Sequence, residues 1–159
     1  MILLQSIVNG LLIGGGAGFI WPPIGQSLGA KVDGLTSVAS WNLDSKNVKD
    51  DPKLEGVTER YLKSFGTFMP EQAGEAYAGI SVLAAAIEAA GSDDPAKVRD
   101  TLAKIHVTGG SGAMMQPGEV EFDANGANTR VFPVMIQWQG GVPRTVFPES
   151  AATATVMKP

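Results

Sequence analysis

One helical stretch constrains this chain more than any other part of its sequence: residues 71–91, EQAGEAYAGISVLAAAIEAAG. Apolar residues recur in it at steps of three and four, which predicts a helix with one broad apolar stripe. Pro70 precedes the stretch, and Gly91 with Ser92 ends it in the usual way for a helix. Because many of its side chains are small, another backbone can approach closely, and such a helix favours packing on a sheet. The predicted stripe consists of Ala73, Ala76, Tyr77, Ile80, Leu83, Ala84 and Ile87.

Composition limits the classes of function. With 159 residues, of which 44% are hydrophobic and 18% charged, the chain can form one domain with a core or two small lobes. The net charge of −4 and the lack of a Lys or Arg run argue against a nucleic-acid partner. The absence of Cys excludes disulfides, thiolate metal ligands and a Cys nucleophile, and the single His cannot form a His cluster. We therefore expect neither a metal nor a cofactor.

The segments before the central helix predict two strands and two helices. An apolar run at residues 11–13 predicts a buried strand that ends in a glycine loop, and residues 34–40 predict a second strand. Residues 24–28 suit a short helix, and residues 41–49 suit a polar crossover. Asp50 or Asp51 is expected to cap a longer helix with Pro52 in its first turn. The expected inward face of that helix consists of Leu54, Val57, Tyr61 and Phe65.

The segments after the central helix predict one more helix and then a run of antiparallel strands. Asp94 with Pro95 marks the start of that helix, and His106 is expected at its end. Residues 119–123, 131–139 and 142–147 have the alternation or β-branched content of strands. Residues 140–141, both glycine, suit a tight hairpin turn. The last eleven residues, 149–159, are small and polar, and we expect them to be loosely held. The predicted fold class is therefore α/β with late antiparallel strands.

Two loops each have a purely structural interpretation and a functional one. The glycines at 14–18 lack the glycine at the sixth place of a dinucleotide fingerprint, where Phe19 stands, so a strand-to-loop turn is the better interpretation. Residues 123–128, DANGAN, resemble half of a calcium loop. The glycine comes fourth instead of sixth and the twelfth place is Val134, so a hairpin turn explains them better.

Several side chains could line a binding site. Glu71 and Glu75 lie one helical turn apart, which suits either acid–base work or the dipole at a helix start. Trp21, Trp41 and Trp138 could stack on a ligand or pack in a core. Trp41 is the favoured functional candidate because it lies in a polar crossover.

The order of segments resembles the C-terminal portion of periplasmic substrate-binding proteins of branched-chain amino-acid ABC transporters. The match begins near Gly15 and covers about nine-tenths of the chain, but only the last part of a typical family member. The segments that carry it are LIGGGAGF, GLTSVASW, EAYAGISVLAAAIEAAGSDDPAKVRDTLAKI, GEVEFDANGANTR, VFPVMIQWQGG and VFPESAATATVMKP.

Residues 1–14 resemble instead the start of the permease subunit of the same transporter class. No Lys or Arg precedes their apolar run, so no recognisable signal peptide is expected. We therefore hypothesise a chimeric or internally deleted reading frame, which sequencing of the surrounding operon would test.

The resemblance implies part of a type I periplasmic-binding-protein fold, in which two Rossmann-like lobes hold a ligand between them. It implies that residues 15–41 belong to the C-terminal lobe, residues 42–121 to the N-terminal lobe, and residues 122–159 to strands and a tail that return to the C-terminal lobe. The central helix would then pack on strands that this chain does not contain.

The resemblance also implies ligand-binding positions. Amino-acid binders of the family hold the ligand ammonium with an acidic residue after the glycine-bearing strand, where this chain has Ala17 and Gly18. The place of a cleft aromatic before the central helix is taken by Glu71 and Gln72. With Phe19 and Trp41, these form the candidate ligand-binding set, and the ligand is left open as an amino acid or a related small molecule.

Three functions follow for comparison. The resemblance implies a periplasmic solute-binding component that delivers a small molecule to ABC transporter membrane subunits without chemistry. The alternative is a truncated or chimeric remnant without its own ligand, which self-associates into a homo-oligomer through exposed apolar faces. An enzyme is not expected, because no nucleophile, base and orienting group stand at suitable spacing.

Overall fold

The computed structural model describes residues 7–8, 11–15 and 17–158, and its fold is mixed α/β with late antiparallel strands, which confirms the predicted fold class. Helices and strands alternate at first and are followed by strands alone. The elements in chain order are β1 (Ile7–Val8), β2 (Leu11–Gly14), α1 (Pro22–Leu28), β3 (Thr36–Ala39), α2 (Lys46–Lys49), α3 (Pro52–Phe65), α4 (Glu71–Ala90), α5 (Pro95–Leu102), β4 (His106–Thr108), β5 (Glu119–Glu121), β6 (Val134–Gln139) and β7 (Val142–Phe147).

The main sheet has five strands in the order β1-β2-β3-β6-β7. β2 and β3 are parallel, with Ile13 opposite Thr36, whereas β6 is antiparallel to both β3 and β7. The crossover between the parallel strands is supplied by α1 and the 3-10 turns around it. β4 and β5 form a separate antiparallel pair. The two parallel strands therefore point their carboxyl ends toward the same edge of the sheet.

The apolar residues divide into two clusters. The first, which we call the sheet core, lies on β3 and β6 with α1 and the start of the tail. The second, which we call the helical core, lies between α2, α3 and α4. The sheet core consists of Ile20, Val32, Leu35, Ala39, Val134, Ile136, Trp138 and Ala151, and the helical core of Trp41, Val48, Leu54, Val57, Met69, Ala78 and Met114.

A buried carboxylate connects the β6–β7 hairpin with the chain that leaves β3. Asp44 accepts hydrogen bonds from the Thr145 amide at 3.0 Å, from the Thr145 hydroxyl at 2.8 Å and from the Thr153 hydroxyl at 2.7 Å. The side-chain amide of Asn42 donates to the same carboxylate at 2.7 Å. These four donors, with the half-exposed Arg144 guanidinium 3.7 Å away, satisfy the buried charge.

The helix ends follow the sequence closely. Asp51 caps α3 by accepting from the Lys53 amide, and Asp94 caps α5 by accepting from the amides of Ala96 and Lys97. Gly91 ends α4 in the left-handed conformation, with φ of 57°. The glycine pair at 140–141, both with positive φ, turns β6 into β7 as predicted.

The buried side of α4 is not its predicted stripe. The described contacts bury Glu71, Gly74, Ala78, Val82 and Ala86, whereas Ile80 is 70% exposed and Leu83 and Ile87 are also exposed. We call the surface formed by Ile80, Leu83 and Ile87, together with Ala76 and Ala84, the outer face of α4. The helix is so apolar that both of its sides qualify as core-facing, and the described residues cover one of them.

Three local predictions are wrong. Phe65 does not face inward but is 67% exposed, and its ring lies on that of Tyr61, with the ring centroids 4.5 Å apart. His106 is not at a helix end, because α5 stops at Leu102 and His106 begins β4. The tail is not loosely held: Ala151 is buried, and Met157 donates its amide to Gln137 at 2.7 Å.

Within the part of the chain that the structure describes, no helix has the length and apolar content needed to cross a membrane.

Candidate functional site

The loop after β2 forms the first side of the candidate site. It makes a 3-10 turn over Ala17–Ile20, in which Gly18 is exposed and Phe19 half-buried. The Phe19 ring lies against Gly14, where an added Cβ would come within 2.5 Å of it. The Phe19 backbone carbonyl accepts a 2.7 Å hydrogen bond from the Trp138 indole. Gly14 is therefore required so that the aromatic ring can close over the end of the strand.

The residues after β3 form the second side. The Ser40 amide donates to the Glu71 carboxylate, and that carboxylate is only 8% exposed. Trp41 follows and is 1% exposed in the helical core, with its ring against Gly74 of α4. An added Cβ at Gly74 would lie 2.4 Å from the ring. The end of β3 and the first turns of α4 are thus held together at two points.

The first turn of α4 forms the third side. The Trp21 indole donates to the side-chain oxygen of Gln72 at 2.7 Å, which joins the loop after β2 to the helix. Glu71 and Gln72 therefore lie at the carboxyl ends of the two parallel strands. In open α/β sheets this edge is where ligands bind.

The site carries unbalanced negative charge. Burial, followed by the nearby charge of Glu71, raises the pKa of Glu75, and a hydrogen bond from Ser40 opposes that rise. None of the ion pairs among the described residues includes Glu71 or Glu75. In the described ranges, no group of three or more His, Asp or Glu side chains is arranged to hold a metal ion. The arrangement can therefore accept hydrogen bonds and attract a cation.

The six residues chosen from the sequence lie in three adjoining segments. Phe19, with Ala17 and Gly18 beside it, follows β2; Trp41 follows β3; Glu71 and Gln72 begin α4. Trp41 lies inside the helical core with an indole N–H that has no hydrogen-bond partner among the described residues. A role for these residues in ligand binding stays a prediction.

Two contact residues lie outside the candidate ligand-binding set: Ser40, which the sequence did not single out, and Trp21, which was considered only for ligand stacking or core packing. Ser40 and Trp21 each make a hydrogen bond to α4, and Trp21 is half-exposed whereas Trp41 is buried. Ser40 could have been found as the residue that follows a predicted parallel strand. The contact of Trp21 could not, since residues 21 and 72 are brought together only by the fold.

The calcium-like segment, residues 123–128, forms a turn in the structure. Its Asp123 carboxylate accepts hydrogen bonds from the amides of Asn125 and Ala127 at 2.8 and 2.9 Å. The predicted turn is confirmed, and its carboxylate oxygen already has backbone partners.

The described chain therefore combines a sheet, whose parallel strands end at the start of α4, with a separate cluster of helices. The family model for periplasmic binding proteins matches residues 10–139, and this chain belongs to that family. The permease-like start proposed for residues 1–14 receives no support from this match and stays a hypothesis.

Curated proteins that are similar in sequence to this chain are named Leu/Ile/Val-binding protein homologs. Homolog 7 of Brucella melitensis is 27% identical over 151 residues, which cover 93% of this chain and 37% of the relative. Homolog 8 of Brucella abortus is 27% identical over 147 residues, which cover 90% of this chain and 35% of the relative. The chain thus spans little more than a third of the length of these relatives.

Solved structures share the fold. A leucine-binding protein from Thermotoga maritima matches with a TM-score of 0.67 and 22% identity, over 88% of this chain and 37% of that protein. A solute-binding protein of an R. palustris ABC transporter, solved in complex with benzoate, matches with a TM-score of 0.64 and 14% identity over 91% of this chain and 37% of that one. At these identities the likeness is one of fold.

Proposed function

We propose that this chain is the C-terminal portion of a solute-binding component of an ABC importer, and that it binds branched-chain amino acids or related small molecules without catalysis. The observation that carries the proposal is the meeting of three predicted segments at one edge of the sheet, where Glu71 and Gln72 contact Ser40 and Trp21. The ligand class is supported by two printed names, Leu/Ile/Val-binding protein homolog for the curated relatives and leucine-binding protein for the structural neighbour. The family supports a periplasmic location and transporter membrane subunits as partners.

We assign the segments accordingly. Residues 15–41 and 122–159 contribute to the C-terminal lobe, and residues 42–121 to the N-terminal lobe. The separate sheet core and helical core support this division, because each lobe of such a receptor needs its own core. The outer face of α4 is then the surface on which the rest of the N-terminal lobe packs.

Calorimetric titration of the purified chain tests the proposal. We expect heat of binding with L-leucine or L-valine, and a rise in unfolding free energy of about 2.7 kcal/mol at a ligand concentration one hundred times Kd. Gln72→Ala should weaken binding, whereas Gln26→Ala on α1, an exposed glutamine outside the candidate ligand-binding set, should not. The absence of binding for leucine, isoleucine, valine and benzoate would overturn the proposal.

A second function is favoured by one observation, the exposed outer face of α4. An uncovered apolar surface of this kind drives self-association, so the chain could be a remnant that forms homo-oligomers and has no ligand. Sedimentation velocity distinguishes the two: the remnant predicts a dimer or larger species that Ile80→Lys converts to monomer. A monomer in both forms would exclude self-association through this face.

A further inference from the structure

An open groove lies between the sheet core and the helical core, and we call it the junction groove. One side is formed by α1 and the β6–β7 hairpin, and the other by the last turn of α3 and the loop that follows it. Its volume is about 490 Å³, within the range of about 300–1,000 Å³ that is usual for small-molecule sites. The described residues that line it include none of the candidate ligand-binding set. The junction groove is therefore separate from the candidate site.

Both sides of the junction groove are fixed to the sheet core. Gly25 of α1 lies against Trp138, since an added Cβ there would come within 2.7 Å of the indole ring. Phe68, in the loop after α3, meets the same indole edge-on, with the ring centroids 5.7 Å apart. The Gly141 amide at the hairpin turn donates to the Asp33 carboxylate at 3.1 Å. The groove is therefore formed by contacts that need no ligand.

The walls of the junction groove are mainly apolar. Leu43, Leu62 and Phe68 line it from the helical side, and Pro22 and Val142 from the side of the sheet. Leu62 is 52% exposed, so part of this apolar surface is open to solvent. A ligand with an apolar body would remove this surface from water.

One of the described residues that line the junction groove is charged, and it is a cation, Arg144. The nearest carboxylate oxygen, Oδ2 of Asp44, lies 3.7 Å from its Nη1, which is too far for a hydrogen bond. Asp44 already accepts four shorter hydrogen bonds, from Asn42, Thr145 and Thr153. The Arg144 guanidinium can therefore offer its planar set of donors to an anion in the groove.

We propose that the junction groove binds an amphiphilic carboxylate, a hydrocarbon chain that ends in one carboxylate group. The chain lies between α1 and the end of α3, and the carboxylate binds Arg144. A guanidinium suits this head group because it can donate two parallel hydrogen bonds to a carboxylate, whereas it repels a cationic head group. The ligand would touch elements of both cores and so stabilise the arrangement in which they are packed together. The inference does not rest on the proposed function, because it uses neither Glu71 nor Gln72.

The first test compares three probes that share one hydrocarbon chain: octanoate, 1-octanol and octylamine. Each is titrated into the whole chain by calorimetry, below the concentration at which it forms micelles. We expect saturable binding of octanoate at one site, weaker binding of 1-octanol and no binding of octylamine. Octylamine binding as tight as that of octanoate would overturn the inference, because the groove would then not recognise the charge.

The second test removes the cation. Arg144→Gln should weaken octanoate binding by about tenfold or more and leave 1-octanol binding unchanged, because only the contact with the carboxylate is lost. Arg99→Gln is the matched control, since Arg99 is an exposed arginine on α5 that also lies beside a carboxylate. Asp44 keeps its four hydrogen-bond donors in Arg144→Gln, so circular dichroism should show an intact fold. An unchanged octanoate affinity in this variant would overturn the inference.

The third test locates the hydrocarbon chain. Leu62→Glu places a carboxylate in the junction groove from an exposed helix position, and it should abolish octanoate binding while the thermal unfolding of the chain stays the same. Ile80→Lys changes the outer face of α4, an exposed apolar surface elsewhere, and should leave octanoate binding unchanged. Loss of binding in Ile80→Lys with normal binding in Leu62→Glu would place the ligand on α4 and overturn the inference.

A competition experiment separates this inference from the proposed function. The octanoate titration is repeated with L-leucine present at high concentration, and we expect the same octanoate affinity. If L-leucine displaces octanoate, the two share the candidate site and the inference fails while the proposed function stands. If octanoate binds in an Arg144-dependent way and no amino acid binds, the inference stands and the proposed function fails.

Discussion

The sheet core and the outer face of α4 contain similar apolar residues but have opposite environments. In the sheet core, Ile136 and Trp138 are fully buried between α1, the tail and the neighbouring strands. On α4, Ile80 and Leu83 face outward within the described chain. The difference shows that apolar composition does not by itself decide burial: the described residues cover the sheet core and leave the outer face of α4 exposed. A helix that is apolar on all sides is usual where it is buried on all sides.

The strongest test of this comparison removes one large side chain from each region. Trp138→Ala should lower the free energy of unfolding by about 3–5 kcal/mol, because it leaves a cavity in the sheet core. It also removes the hydrogen bond to the Phe19 carbonyl. Ile80→Ala should change the free energy by less than about 0.5 kcal/mol. Urea unfolding measures both, and equal losses would mean that the outer face of α4 is covered in solution.

A second test breaks the connection between the hairpin and the chain beyond β3. Asp44→Ala should cost about 3 kcal/mol, because the Thr145 amide and the Thr153 hydroxyl lose their buried acceptor. Glu59→Ala, an exposed acidic residue on α3, serves as the control with little expected change. A loss as small as that of the control would show that water replaces the carboxylate at no cost.

A third test compares two glycines on α4. Gly74→Ala should destabilise by about 1–3 kcal/mol, since its Cβ would lie 2.4 Å from the Trp41 ring. Gly79→Ala, where an added Cβ meets nothing, should stabilise by about 0.5–1 kcal/mol through helix propensity. The same sign for both substitutions would contradict the placement of Trp41 against this helix.

The smallest expected effect is the contribution of Glu75 to the pH dependence of folding stability. Because its pKa is raised in the folded state, the ionised carboxylate disfavours folding. This cost is absent below the pKa of the unfolded chain and develops as pH rises through the folded pKa. Glu75→Gln should therefore be more stable than the parent at neutral pH, and the difference should vanish in acid. Thermal unfolding at a series of pH values measures it.

The pKa of Asp123 is shifted in the opposite direction from that of Glu75, which makes Asp123 a useful comparison. Backbone hydrogen bonds from Ala127 and then Asn125 lower its pKa, so its ionised form favours folding above the unfolded pKa. Asp123→Asn should be less stable at neutral pH, and the difference should disappear as pH falls through the folded pKa of Asp123. If the stability difference from the parent changed with pH in the same direction for Glu75→Gln and Asp123→Asn, the opposite pKa shifts of Glu75 and Asp123 would be contradicted.

Local features of the chain were predictable because they depend on residues close in sequence. The Asp51 and Asp94 caps, the end of α4 at Gly91 and the hairpin turn at residues 140–141 all follow from short-range chemistry. The site was predicted less completely. Glu71 and Gln72 were chosen by resemblance, whereas their contacts with Ser40 and Trp21 required the fold.

The errors have a common physical cause. The tail was expected to be loose because its residues are small and polar, yet it donates to Gln137 through its backbone, which composition does not reveal. The inward face of α3 was extended to Phe65 because periodicity does not show where a neighbouring element stops.

The sequence by itself determined that this chain forms amphipathic or wholly apolar helices with defined ends, followed by antiparallel strands, because propensity, capping and turn chemistry act over a few residues. Only the tertiary structure decided which side of α4 is buried. Both sides are apolar, and burial depends on the side chains that arrive from distant segments, such as Trp41 against Gly74. The same long-range packing brought Glu71 and Glu75, which form no ion pair with the residues that the structure describes, to the edge where the parallel strands end.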